Sequence, residues 1–250
     1  MSAWLARLTS PIVWRLPGHD ARMLFGFAQA EAASFLDLRM AAARTGSTAR
    51  GALYLRHALD EARHAQMFTR ASAELRVRRG REPFGVARAD ASDLHERLGE
   101  VGFLAFVHRG ERRGRMQFEA YRDWFAARGA TSASDEKLRA MFDAILVDER
   151  RHETYTRELL LEAAGDERAA RKALRRAALW EAWRTWRAMG RFVAKLLFTI
   201  AMTLLYFTLA PFALLVRVVR PSPKGWSTSP ASERAALPPR AVQAPSSAGE

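Results

Sequence analysis

Two five-residue segments of this chain repeat one pattern, D-E-x-R-H: Asp60-Glu61-Ala62-Arg63-His64 and Asp148-Glu149-Arg150-Arg151-His152. On a helix, residues three apart share a face, so Glu61 with His64 and Glu149 with His152 each present a carboxylate and an imidazole in the same direction. That pairing, made twice, points to metal ligation.

A di-metal site inside a helix bundle takes one Glu-x-x-His unit from each of two helices and a single Glu from each of the other two. The missing glutamates follow from register. The chain breaks at Arg44-Thr45-Gly46-Ser47-Thr48, and Glu61 lies 15 residues beyond Gly46; the residue 15 before it is Glu31. A second break lies at Gly129-Ala130-Thr131-Ser132, and Glu149 lies 19 residues past Ala130; the residue 19 before it is Glu111. Glu100 and Glu119 are about 12 to 16 Å off that level at 1.5 Å per residue and are rejected as ligands.

Each of the four glutamates interrupts an apolar stripe of helical period. The stripes read Leu24, Ala28, Glu31, Phe35, Leu38; Tyr54, Ala58, Glu61, Ala65, Phe68; Leu104, Val107, Glu111, Gly114, Phe118; and Phe142, Ile145, Glu149, His152, Thr156. Four carboxylates buried together repel one another and take up protons. Two divalent ions cancel their charge, and two neutral imidazoles complete the set.

The flanking residues have a supporting role. Asp60 and Asp148 each lie four before a histidine, and a metal-bound imidazole usually donates its other N–H to a carboxylate or carbonyl. Whether each Asp serves the histidine of its own helix or of the facing one is open from sequence. Arg63 and Arg151 are placed to brace those aspartates with charge-assisted hydrogen bonds. His108, three before Glu111, is a candidate third nitrogen ligand, although a supporting or surface role is the more frequent one for such a histidine; His57, four before Glu61, reads the same way. Gly110 and Gly114 flank Glu111 and leave open either space beside the metals or close helix packing.

Over residues 20 to 163 these motifs resemble the ferritin-like di-iron carboxylate superfamily, and the D-E-x-R-H form is most similar to its oxygen-activating branch, the bacterial di-iron monooxygenases and acyl-carrier-protein desaturases. The resemblance implies an all-α, ferritin-like four-helix bundle with a di-metal centre. It also implies bridging roles for Glu61 and Glu149, terminal roles for Glu31 and Glu111, and ligation by His64 and His152. The cofactors it implies are two iron ions, with manganese or a mixed pair as alternatives, and O2 as co-substrate.

Composition agrees with one such domain plus an appendage. Ala, Leu, Arg and Glu dominate and alternating strand patterns are absent, which favours helices; the coarse reading places them at 20–44, 48–79, 92–128, 134–163, 166–190 and 191–219. A non-helical connection opening at Gly80-Arg81-Glu82-Pro83 is long enough, at about 3.3 Å per residue, to cross a bundle end to end. The chain has no cysteine, which removes disulfides, thiolate nucleophiles and iron–sulfur ligation.

Beyond residue 165 the character changes. Leu196 to Val216 are 21 consecutive uncharged, mostly apolar residues, long enough to cover a hydrocarbon core of about 30 Å. Pro211 leaves a kinked or re-entrant segment open. Before this span, Trp180, Trp183 and Trp186 alternate with Arg184, Arg187 and Arg191, the pattern of an interfacial helix with indoles at headgroup level. Residues 166–250 carry 14 Lys and Arg against 5 Asp and Glu, so nine of the thirteen net positive charges fall there. A charge excess bracketing an apolar span, without a nucleic-acid motif, argues against a nucleic-acid partner.

The expected organisation is an N-terminal segment (1–19), which either contacts the membrane surface or packs across the bundle, then the bundle (20–165). An interfacial helix (166–190), one transmembrane helix (191–219) and a disordered tail (220–250) follow. Denser basic residues before the span than after it favour a cytoplasmic bundle. The expected activity is that of a membrane-anchored di-iron oxidase or oxygenase that hydroxylates, desaturates or dehydrogenates a lipophilic substrate with an external electron donor. The alternative is a membrane-attached ferroxidase or rubrerythrin-like peroxide- and iron-handling protein.

Overall fold

The computed structural model describes residues 8–10, 12, 14–90, 92–127 and 133–219. Residues 220–250, expected as a disordered tail, the break expected around Gly129 and most of the N-terminal segment lie outside the described residues. Every element among the described residues is helical: α1 (His19–Arg44), α2 (Thr48–Val77), α3 (Leu94–Ala127), α4 (Ala133–Ala164) and α5 (Glu167–Val219).

Local chemistry sets the ends. The Ser47 side chain accepts a hydrogen bond from the Arg50 amide (3.3 Å) and caps α2. At the same end of the bundle, where Arg50 pairs with Glu162 (2.6 Å), Gly165 takes φ +83° and stops α4, a conformation that costs glycine little. Asp166 then accepts from the Ala169 amide (2.7 Å) and starts α5. Gly99 also has a positive φ (68°) and kinks α3 one turn after it begins, a feature with no sequence signal beyond the glycine itself.

Helices α1 and α2 pack along their length as one hairpin and α3 and α4 as another, with α1 against α3 and α2 against α4. The connection between hairpins runs along α1. Arg79 grips Asp20 through two hydrogen bonds (2.6 and 2.5 Å), and Phe84 stacks on Phe25 (4.9 Å). Farther on, the Ser92 amide donates to Asp37 (2.9 Å), and Arg44 pairs with Asp93. The chain thus returns from the end of α2 to the end of α1, so α3 starts level with the start of α2.

The apolar interior is divided in two. One core joins Leu24, Phe68, Phe118, Tyr121, Phe142 and Ile145, and Trp14 closes it with edge-on contacts to Tyr121 (5.1 Å) and Phe125 (4.9 Å). Trp14 therefore packs into the domain. The other core joins Leu38, Tyr54, Phe103, Leu104, Leu159 and Leu160. Burial of each such side chain contributes about 1.5–3 kcal/mol, and between the two lies a layer of buried histidine and glutamate.

The structure forms two compact units, up to Thr185 and from Trp186 onward. In the first, α5 docks on α3: Glu181 accepts hydrogen bonds from Arg109 (3.3 Å) and Arg113 (2.9 Å), and Trp180 meets Phe106 edge-on (5.4 Å). This corrects the expectation that Trp180 faces a membrane interface; Trp183 (58 % exposed) and Trp186 (63 % exposed) remain free to do so. In the second unit every side chain from Leu196 to Leu209 is exposed, and this helix is long and apolar enough to cross a membrane. The two helices expected at 166–190 and 191–219 are one. Helix α5 runs through both Gly190 and Pro211; at the boundary expected between the two helices, Gly190 costs only about 1 kcal/mol in a helix interior.

Candidate metal centre

The structure brings all six expected ligands together and places His57 among them. Glu31, Glu61, His64 and Glu149 form one group that could hold a metal ion, and His57, Glu61, Glu111 and His152 form another; within each, the ligand atoms lie within 4.8 Å of one another. Glu61 belongs to both. It is 2 % exposed, and Glu149 is 3 % exposed. Glu31 is half-buried, since its open side lines a cavity.

The histidines decide whether a cation fits. His64 directs Nδ1 toward Glu149 (3.6 Å) and Glu61 (3.9 Å), and His152 directs Nδ1 toward Glu61 (3.5 Å) and Glu111 (3.7 Å). Both Nδ1 atoms are buried and have no hydrogen-bond partner. A buried polar atom left unpaired costs about 1–3 kcal/mol, whereas a lone pair aimed at carboxylates across a short gap is what a metal ion uses. The outer nitrogens are held. His64 Nε2 bonds Asp148 (3.1 Å) and His152 Nε2 bonds Asp60 (3.2 Å), each on the facing helix. The choice left open by the sequence is therefore settled as a crossed pair.

Arg63 bonds both Asp60 (3.0 Å) and Asp148, and Arg151 bonds both Asp60 (2.6 Å) and Asp148 (2.9 Å). Two guanidinium groups and two carboxylates form a clasp across α2 and α4. A carboxylate behind a ligating imidazole raises its basicity and fixes its ring, so Asp148→Asn is expected to weaken metal affinity by about 10- to 100-fold, measured by competition with a chromophoric chelator.

His57 was read from sequence as having a supporting role and instead sits in the cluster. Its Nε2 lies 3.1 Å from Glu61 and 3.4 Å from Glu111, its ring stacks against His152 at 3.7 Å, and Nδ1 is hydrogen-bonded to the Tyr155 hydroxyl. The signal was its place one turn before Glu61 on the same face. His108 is the opposite case. Its Nδ1 engages the Glu153 carbonyl (3.1 Å) and Thr156 (3.3 Å), the supporting role expected as the more frequent one, and it is His57 that lies among the glutamates. Glu100 is occupied by Tyr54 (2.5 Å) and Thr45 (3.2 Å), and Glu119 by Arg115 (2.8 Å), away from the cluster as expected.

Comparison with protein-family models, with curated proteins and with solved structures returns no match.

Burial, and then the neighbouring carboxylates Glu61 and Glu111, push Glu31 well above the usual carboxylate range. Burial likewise raises Glu61, with Glu111 and Glu149 adding to it, and raises Glu149. Burial also pushes Glu111 up, but His57 and His152 outweigh it and hold that carboxyl low. His64 is lowered by burial, with Asp148 opposing. Folding of the metal-free chain favours protonated Glu31, Glu61 and Glu149, so stability falls as pH rises from about 4.5 through their raised native values. His64 opposes this only below about pH 6.5, where the unfolded imidazole gains its proton. The metal-free protein is therefore expected to melt lower at about pH 8 than at about pH 6.5, and metal loading to flatten that slope because cations replace protons. Thermal melts of both forms across this range check it.

A cavity of about 400 Å³ lies over the carboxylates. Glu31, Glu61, Glu111 and Glu149 reach it, Phe27, Phe103, Phe106 and Phe118 line it, and Gly110 and Gly114 form part of its wall. The two glycines differ. A Cβ on Gly110 meets nothing within 4 Å, whereas one on Gly114 meets Glu149 Oε2 at 3.2 Å. Gly110 thus leaves room in the cavity, and Gly114 leaves room for a ligand side chain.

Proposed function

We propose that the chain is a membrane-anchored di-iron oxidase or oxygenase of ferritin-like architecture, acting on a lipophilic organic substrate. The observation that carries this reading is the pair of unpartnered Nδ1 atoms converging with four glutamates beneath an aromatic-lined cavity. Metal ligation explains the histidines, and the cavity explains why the carboxylates face space rather than packed side chains.

In this reading Glu31, Glu61, His64 and Glu149 hold one ion and His57, Glu61, Glu111 and His152 the other, with Glu61 shared. Bridging by Glu149 as well, and terminal roles for Glu31 and Glu111, are part of the proposal. Iron bound there supplies the redox chemistry with O2, which no side chain of this chain provides. Carboxylate-rich sites with few imidazoles suit iron over zinc. The protein's own part is positional. The Asp60–Arg63–Asp148–Arg151 clasp fixes both imidazoles, Tyr155 holds His57 with Nε2 inward, and the phenylalanine walls keep water from the reacting face while seating an apolar group against it. Electrons come from a separate donor.

The exposed apolar span supports anchoring, and the basic residues preceding it support a cytoplasmic domain. A membrane lipid or another hydrophobic molecule drawn from the bilayer is the substrate class that this placement favours. Ferroxidation alone needs no cavity of this size, so the cavity weighs against that alternative.

The test is anaerobic loading with Fe(II) followed by rapid mixing with O2, with and without membrane lipid extract. Oxygen uptake that accelerates with lipid and yields an oxidised lipid product is the expected outcome. Turnover of Fe(II) to ferric product at a rate indifferent to any lipid would replace this reading with iron handling.

A further inference from the structure

A second cavity, of about 580 Å³, opens where the start of α5 crosses α3 and α4. This is within the roughly 300–1,000 Å³ of small-molecule sites. Its floor is apolar, built from Leu98, Val101, Phe106, Ala173, Ala177 and Trp180. Three cations stand on it, Arg97 from α3 and Lys172 and Arg176 one turn apart on α5, and no acidic residue lines it.

These cations differ from several basic residues farther along α3. Arg109 and Arg113 are paired with Glu181, and Arg115 with Glu153. Among the described residues, Arg97, Lys172 and Arg176 have no acidic partner. The acids close to them in sequence are engaged elsewhere: Glu96 with Arg44 (3.0 Å), Glu162 with Arg50 (2.6 Å) and Glu167 with Arg157 (2.6 Å). Three unpaired positive charges around an apolar floor match a ligand with an anionic end and a hydrocarbon body.

Phe106 is common to both cavities. Its ring, held edge-on by Trp180, is the partition between the basic cavity and the one over the carboxylates.

We propose that the basic cavity is the head-group site for a single-chain anionic amphiphile, with a carboxylate or phosphate head on Arg97, Lys172 and Arg176 and the apolar end passing Phe106 into the cavity over the glutamates. The inference rests on the oxidase reading for the fate of the apolar end, but not for binding of the head. It narrows the substrate from any hydrophobic molecule to one with a charged terminus, and it gives the docked start of α5 a function besides connection.

The experiment uses the full chain in nanodiscs of zwitterionic lipid, with a hexadecanoate carrying a diazirine at its methyl end, irradiated and mapped by peptide mass spectrometry. Adducts are expected on the α3 segment containing Phe103 to Val107 and on α1 between Phe27 and Leu38. The R97Q/K172Q/R176Q variant changes only exposed side chains and is expected to lower labelling at least about tenfold, with metal content unchanged. The corresponding fatty alcohol is expected to label these segments as weakly as that variant does. Inorganic phosphate at the probe concentration is expected to leave labelling intact.

Equal labelling by the alcohol, equal labelling of the triple variant, displacement by phosphate alone, or adducts confined to residues 196–216 would each overturn the head-group site. Iron-dependent oxygen uptake is read on the same samples. Charge-dependent labelling without uptake would leave the head site standing and remove the oxidase reading, whereas uptake with charge-independent labelling would do the reverse.

Discussion

Glu61→Ala is expected to abolish binding at both metal positions, not one. Glu61 is the residue common to the two ligand groups, so its loss removes a ligand from each ion and the negative charge between them. Removing a partner behind a ligand costs about 10- to 100-fold in affinity, and loss of a shared ligand is expected to exceed about 100-fold at both positions. Glu111→Ala, by contrast, touches one group and is expected to leave the other ion bound. Metal analysis after gel filtration separates these outcomes.

The same substitution has an opposite effect on the metal-free chain. Glu61 is buried among Glu31, Glu111 and Glu149, and its carboxyl is pushed well above its ordinary range. Removing that carboxyl relieves the cost of burying it beside Glu111 and Glu149, whether that cost is met by protonation or by repulsion. The metal-free Glu61→Ala protein should melt a few degrees higher than the metal-free parent, since about 1 kcal/mol corresponds to roughly 2–4 °C in a chain of this size. Loss of function with a gain in stability is the mark of a site maintained for its ligands; a drop in both would assign Glu61 a structural role.

Gly110→Phe is expected to leave both metals bound and to lower substrate oxidation by about 10- to 100-fold. A Cβ at this position meets nothing within 4 Å and opens onto the cavity, so a benzyl group enters the space assigned to substrate. Overpacking of this kind costs about 1–3 kcal/mol, and 1.36 kcal/mol is a factor of ten in rate. Gly110→Ala is the control: it fills almost nothing, stabilises the helix by up to about 1 kcal/mol, and should keep turnover. Gly114→Ala should behave differently, because its Cβ lies 3.2 Å from Glu149 Oε2 and displaces a ligand. Steady-state kinetics with parallel metal analysis distinguish a blocked cavity from a damaged centre.

The all-helical fold and the convergence of the four glutamates were legible in the sequence, and the details of packing around them were not. Glu31, Glu61, Glu111 and Glu149 could be aligned by counting from two chain breaks because antiparallel hairpins conserve height along the helix axis. His57 was weighed in the sequence and ranked below the six because α4 has no counterpart; the residue four before Glu149 is Ile145, so the repeat that singled out the others gave no support. The crossed bonding of Asp60 to His152 and Asp148 to His64 depends on the distance between helices, which a sequence period does not encode. Trp180 was assigned to a membrane interface with its two neighbours, and only tertiary packing against Phe106 separates it from them. The Gly99 kink and the unbroken α5 turn on single glycines, whose effects of about 1 kcal/mol are decided by surrounding contacts.

The most direct test is an anaerobic Fe(II) titration of the full chain and of Glu61→Ala, with bound iron counted at saturation. Two irons per chain for the parent and fewer than about 0.2 for the variant are the expected values. A single iron in the parent, or iron retained by Glu61→Ala, would contradict a centre built around one shared glutamate.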